Sequence, residues 1–197
     1  MSYKKIAGIV LAAGESKRFG RPKQLLNWSG ITFVQKVIRT AYEASLDPVY
    51  IVLGSSAPKI NNIIKNEGAI VIRNHEWSKG QSSSIRNVIK SINNDIDAIV
   101  ILLCDQPQVT PELLKDLVGL YKYSGTKIVS TRINGNSCPP ILFDRVCFSE
   151  LSLLQGDTGA KSLIGTYPTE FLDWKDQRVI RDVDTEEDYK DLLSSYE

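Results

Sequence analysis

Five unbroken apolar runs, separated by stretches of a different period, restrict what this chain can fold into more than any other feature. "IAGIVLAA" (6–13), "VYIVLG" (49–54), "GAIVIR" (68–73), "AIVILLC" (98–104) and "TKIVST" (126–131) have the length and β-branching of buried strands. Between them the apolar residues recur at helical spacing. Val34, Val37, Ile38 and Ala41 form one stripe and Ile85, Val88, Ile89 and Ile92 another. "TPELLKDLVGLY" (110–121) opens with Thr110 as N-cap and Pro111 at the first helical position. Strands hydrophobic on both faces, joined by helices, predict an α/β fold with a mainly parallel sheet covered on both sides. Beyond about residue 132 the pattern loosens into loops, a short helix near 159–165 and a last helix from about 185. The absence of linkers and repeats predicts one domain over 1–197.

At 197 residues the chain can bury about 70% of its unfolded surface without staples. A net charge of +1 sets up no global field for nucleic acid or an anionic membrane. No apolar run nears the ~20 residues of a membrane span, and "MSYKKIAGIVLAAG" reads as a first strand rather than a signal peptide. Cys104, Cys138 and Cys147 are odd in number and lack CxxC spacing, which argues against disulfides and zinc and predicts a reduced, cytoplasmic protein. His75 is the sole histidine, so a nucleophile–base triad has no support and His75 is expected to be structural. Trp28, Trp77 and Trp174 are expected to pack, although Trp77 lies near the 80–84 loop.

In parallel sheets, ligands bind beyond the carboxyl ends of the strands. Four segments fall there: 14–26, 77–87, 104–110 and, later, 182–189. The first leaves an apolar strand through Leu11, Ala12, Ala13 and Gly14 and then places Lys17, Arg18, Arg21 and Lys23 around Gly20. It spells neither GxGxxG nor GxxxxGK[ST]. Small residues nonetheless let backbone N–H groups approach an anion, and nearby cations form charge-assisted bonds to phosphate. The loop therefore suits either a phosphate seat or a solvated turn. Asp105, at the end of a strand, suits a metal ligand on nucleotide phosphates, a turn or a cap. Asp184 can likewise cap the final helix.

"LAAGESKRFGRPKQLL" resembles the LAAGxSxRMGxPKQLL signature of small-molecule nucleotidyltransferases and, within them, of the molybdenum cofactor cytidylyltransferases. "GQSSSIRNVI" (80–89), "LLCDQPQVT" (102–110), "GDTGAKSLI" (156–164) and "DVDTEEDY" (182–189) resemble the GxSSSLRxxL, GDQPxxT, GDxGAR and DxDTPxDY elements in the same order. The chain departs from that pattern at Phe19 for methionine, Cys104 for glycine and Glu186 for proline, and in "SCPPILF" (137–143) for an Asn-Pro or His-Pro segment.

The resemblance implies a three-layer α/β/α sandwich whose mainly parallel, Rossmann-like sheet is of the nucleotide-diphospho-sugar transferase type. It implies Mg2+ held by Asp105 and Asp184, with Asp182 as the reserve, and phosphate contacts from Arg18 and Lys23. The strand-end residues 11–14 would face the nucleotide, Gly80, Ser82, Ser83 and Ser84 would lie near the base, and Asp157 would lie toward the acceptor. The implied reaction is transfer of CMP from CTP to the terminal phosphate of molybdopterin, with a molybdenum hydroxylase as client. Related alternatives are GTP with molybdopterin, or CTP or UTP with a sugar or polyol phosphate. An alternative of another class is a regulatory nucleotide-binding module without turnover.

Overall fold

A computed structural model describes residues 4–195. In chain order the elements are β1 (Ile6–Ala12), the short hairpin strands β2 (Asn27–Trp28) and β3 (Ile31–Thr32), α1 (Phe33–Glu43), β4 (Val49–Leu53), α2 (Ala57–Ile64), β5 (Ile70–Arg73), α3 (Gln81–Ser91), β6 (Ala98–Leu103), α4 (Pro111–Ser124), β7 (Ile128–Ile133), β8 (Asn136–Asp144), α5 (Phe148–Leu151), β9 (Thr169–Asp173) and α6 (Glu186–Ser194). Seven strands form one sheet in the order β5-β4-β1-β6-β8-β7-β9. Only β8 runs antiparallel to its neighbours. The expected mainly parallel α/β/α sandwich is thus what the chain forms, and no helix of the described residues is long and apolar enough to cross a membrane.

The two faces of β1 show why its run is apolar throughout. Ile6, Val10 and Ala12 pack with α1, α2 and α4 on one side, whereas Ala7, Ile9, Leu11 and Ala13 pack with α3 and α5 on the other. Alternation sends successive side chains to opposite faces, so a strand covered twice has no polar position. Thr110 accepts a hydrogen bond from Leu113 N and Pro111 opens α4, as expected. Thr185 caps α6 in a reciprocal arrangement with Asp188.

The region after residue 132 is more ordered than its sequence pattern predicts. β7 and β8 form a hairpin whose turn residues, Asn134 and Gly135, have φ of 50° and 79°. Those angles are what a two-residue hairpin turn requires, and Asn-Gly is its usual sequence. Pro139 and Pro140 disguise β8, because proline cannot donate to a ladder. The β7–β8 register jumps from Ser130↔Ile141 to Thr131↔Cys138, which leaves both prolines in a bulge where no ladder donor is needed.

β1 connects toward β4 on one side of the sheet and β6 toward β7 on the other. Connections that diverge in this way leave a crevice at the carboxyl ends of the two strands.

Candidate active site

The crevice beyond β1 and β6 is an open cleft whose two lobes have volumes of about 580 and 830 Å³ and share Leu11, Gly14, Arg18, Gln81, Asp105 and Asp157. Its base is shaped by Gln24, whose buried side chain donates from Nε2 to Ala12 O (3.0 Å) and Gly14 O (2.9 Å). Ser16 Oγ accepts from Lys23 N at 3.1 Å. These bonds fold the post-β1 loop back on itself and aim the Lys23 side chain at the ends of β6 and α6.

Lys23 Nζ lies 3.0 Å from Asp105 Oδ2 and 2.6 Å from Asp184 Oδ1, so one ammonium holds carboxylates from two distant segments. Arg18 Nη2 lies 2.6 Å from Asp184 Oδ2. Burial lowers the pKa of Lys23, but the Asp105 charge and the bonds to Asp184 and Asp105 outweigh it and hold the ammonium above the ordinary lysine value. Asp182 has a different environment. Its Oδ1 accepts from Gln106 Nε2 at 2.9 Å. Burial, then the Asp105 charge, raises its pKa above the ordinary carboxylate value, partly offset by Gln106. Both acidic residues near the chain end line the cleft, and Asp184 is the one joined to Asp105 through the Lys23 ammonium. Val183 N donates to Asp105 O at 3.2 Å, which fixes the 182–184 strap against the end of β6.

The other cations of the first loop have partners at the rim. Lys17 lies 3.3 Å from Glu15, and Arg21 lies 3.0 Å from Glu186. Leu11 and Ala13 pack into the core below the cleft and offer it a wall and their backbone, and Gly14 is exposed. On the α3 side, Gly80, Gln81 and Ser84 line the cleft, with Trp77 beside them. Ser82 and Ser83 do not line it. Ser82 Oγ donates to Gly156 O (2.6 Å) and Ser83 Oγ to Gly80 O (2.8 Å). Asn74 Nδ2 donates to both Ser83 Oγ (2.8 Å) and Ser84 Oγ (3.0 Å). Asp157 lines both lobes and accepts from Gln81 N at 3.4 Å. Cys104 is buried beside Asp105, and that burial holds its thiol neutral. His75 is exposed and lies off the cleft; Trp28 is buried in the core and Trp174 packs against it.

The family resemblance pointed to Lys23, Arg18, Asp105 and Asp184, and they meet in space. Gln24, Gln81 and Gln106 carry roles that spacing alone did not mark. Gln24 stands within the "PKQLL" signature string, which was the available signal for it.

The family described as the MobA-like NTP transferase domain matches residues 8–171. The purine catabolism protein PucB of Bacillus subtilis (strain 168) is 32% identical over 196 residues, covering 93% of this chain and 94% of that protein. A probable molybdenum cofactor guanylyltransferase of Geobacillus sp. (strain WCH70) is 30% identical over 203 residues, covering 96% and 99%. Among solved structures, Rv0371c from Mycobacterium tuberculosis H37Rv superposes with a TM-score of 0.86 at 32% identity, covering 98% of this chain and 100% of that one. The same protein in complex with manganese gives 0.84 at 31% identity, with the same coverage.

Proposed function

The chain belongs to the MobA-like NTP transferase family, and from that premise we propose that it transfers CMP from CTP to the terminal phosphate of a molybdopterin-type acceptor. The observation that carries this reading is the convergence of Lys23, Arg18, Asp105 and Asp184 at the crevice between β1 and β6. An acceptor phosphate oxygen forms a new bond to the α-phosphorus. The bond from that phosphorus to the oxygen bridging to the β-phosphate breaks, and its electron pair leaves with pyrophosphate. A phosphomonoester has its second pKa near 6 and is mostly dianionic at pH 7, so no side chain has to remove a proton. The cleft supplies charge and position instead. Lys23 reaches an α-phosphate oxygen, Arg18 reaches the outer phosphates, and bare amides beyond Ala13 face the chain of phosphates. One such contact in the transition state is worth ~3 kcal/mol.

The donor set fits Mg2+. Asp105 and Asp184 bring two hard oxygen ligands to one cation, and Mg2+ takes one or two carboxylates together with phosphate oxygens and water. Among the described residues no group of three or more His, Cys, Asp or Glu side chains could hold a metal ion, so in this reading phosphate oxygens and water complete the shell. Such an ion, when bound, neutralises charge that builds on the leaving pyrophosphate. The relative solved with manganese supports a divalent ion. Asp157, Gly80 and Ser84 are placed in this reading on the acceptor and base sides, and Ser82 and Ser83 support the base side through the loops they hold. A molybdenum hydroxylase is the client such a product would serve.

A second reading, transfer of GMP to the same acceptor, is favoured by the relatives named as molybdenum cofactor guanylyltransferases. The test is pyrophosphate release from CTP or GTP with Mg2+ and molybdopterin. Release with CTP is expected. Release with GTP alone hands the site to the second reading, and release with neither removes the transferase proposal.

A further inference from the structure

We propose that Arg21, Phe19 and Glu186 form a clasp that holds the loop after β1 against α6, and that this clasp sets how tightly the cleft takes a nucleotide's phosphates. The proposal rests on the nucleotidyl-transfer reading above and adds two positioning residues to it, Arg21 and Glu186. Arg21 Nε donates to Glu186 Oε1 at 3.1 Å and Arg21 Nη2 to Glu186 Oε2 at 3.3 Å, a two-point contact that fixes direction as well as distance. The same guanidinium lies over the Phe19 ring, 5.3 Å from its centroid. Phe19 and Glu186 are two of the positions at which the chain departs from the signature it resembles, and both touch Arg21. Departures far apart in sequence thus meet at one side chain.

The loop needs such an anchor. Ser16 and Gly20 have φ of 59° and 77°, in the left-handed region, and the turn between them is closed by Phe19 N and Gly20 N donating to Ser16 O. From Gly14 to Arg18 no backbone N–H donates to a described residue. Lys17, Arg18 and Gly20 are exposed, whereas Phe19 is buried. Its ring meets Tyr189 of α6 edge-on, with centroids 6.2 Å apart, and Tyr189 meets Phe33 of α1 at 5.9 Å. Tyr189 Oη donates to Asn27 O at 2.5 Å. The loop tip is therefore seated on α6, and α6 on α1 and β2.

The start of α6 also holds a site residue. Asp184 N and Thr185 N both donate to Asp188 Oδ2, at 3.0 and 2.7 Å, so Asp184 is bonded to the first turn of the helix that Glu186 opens. Three ties join the loop to this helix: Lys23 and Arg18 to Asp184, Arg21 to Glu186, and Phe19 to Tyr189. In the transfer reading Lys23 and Arg18 turn to the phosphates and Asp184 to the metal ion, which undoes the first tie. Arg21, Glu186 and Tyr189 line neither lobe of the cleft, so a bound nucleotide leaves the other two ties in place. They keep the loop ordered once the first is gone. A loop ordered beforehand binds more tightly, because less freedom is lost on binding.

Two measurements test the clasp. Trypsin cleavage after Lys17 and Arg18, read by mass spectrometry without nucleotide, should be about threefold faster in Glu186→Ala than in wild type, with the thermal midpoint within about 2 °C. The ion pair is half-exposed, which keeps both changes small. Arg21→Ala combined with Glu186→Ala should be cut about as fast as Glu186→Ala alone, because the two side chains make one contact. Titration calorimetry with CTP and, separately, GTP, each with Mg2+, gives the second readout. Glu186→Ala should weaken nucleotide binding by about threefold. Removing a carboxylate near an anion site would by charge alone tighten it, so the sign separates a clasp from an electrostatic effect. An unchanged trypsin rate, or equal or tighter nucleotide binding by Glu186→Ala, overturns the proposal. If wild-type protein binds neither nucleotide, the nucleotide reading fails and the effect on affinity with it, while the trypsin rates still decide whether the clasp holds the loop.

Discussion

Replacing Lys23 by alanine would leave Asp105 and Asp184 without the ammonium that joins them, although Arg18 would still reach Asp184. Two effects are expected. kcat/KM for nucleotidyl transfer should fall at least about tenfold. The thermal midpoint should drop in metal-free buffer and recover when Mg2+ is added, because a divalent cation can take the vacated place between the carboxylates. Steady-state kinetics and thermal unfolding check the two parts, and an unchanged kcat/KM would return Lys23 to a structural role. Asp105→Asn keeps the shape and the Lys23 contact but removes a charge. It should cost about a hundredfold in turnover with little loss of stability; full pyrophosphate release by that variant would take Asp105 out of the reaction. Asp105 was legible through its place in the "LLCDQPQVT" resemblance, since ending an apolar run suits a turn or cap as well. The choice between Asp182 and Asp184 was not, because residues two apart differ only in where the side chains point. Their partners do differ: Gln106 engages Asp182, whereas Lys23 and Arg18 engage Asp184.

At the scale of elements, Glu67 ties α1 to the turn after α2. It accepts from Gln35 Nε2 and from Arg39 Nε and Nη2, all at 2.8 Å. The Arg39 bond, then Gln35, hold its carboxyl below the ordinary glutamate value against the opposing effect of burial. The folded pKa is the lower one, so between the two values the unfolded chain binds more protons and stability rises with pH. This contribution is complete above the unfolded value of about 4.3 and is lost as pH falls through the folded value. Glu67→Gln should therefore lower stability by about 1 kcal/mol at neutral pH and flatten the acid side of the stability profile. Urea melts at pH 3 to 7 read both; an unaltered acid slope would show that Glu67 is not the group responsible. Strands β1, β4, β6 and β7 were legible because each is covered on both faces and so spells an apolar run, and β5, at the sheet edge, because Ile70, Val71 and Ile72 still make one. β8 hid behind two prolines that its bulge accommodates, and the "ING" turn before it was the overlooked sign. β9, an edge strand with exposed Glu170 and Asp173, has no continuous apolar run to show.

For the whole molecule, ligand binding should register as stability. CTP with Mg2+ at about 100 times its Kd should add about 2.7 kcal/mol, seen as a raised thermal midpoint. GTP should add less, and an equal or larger shift with GTP would overturn the cytidylyl preference. The layered sheet followed from apolar runs that alternate with helical stripes, whereas the way its halves join did not. The chain passes from β6 to β7 and returns through β8 into the gap between them. Strands β5, β4, β1 and β6 therefore meet the rest of the sheet along a single antiparallel seam, from Ala98↔Asp144 to Ile101↔Ile141. Leu11, Leu103 and Asp105 stand on one bank of that seam and Pro139 on the other. A ligand that reached from Leu103 and Asp105 across to Pro139 would touch both banks at once and tie the two halves of the sheet to each other.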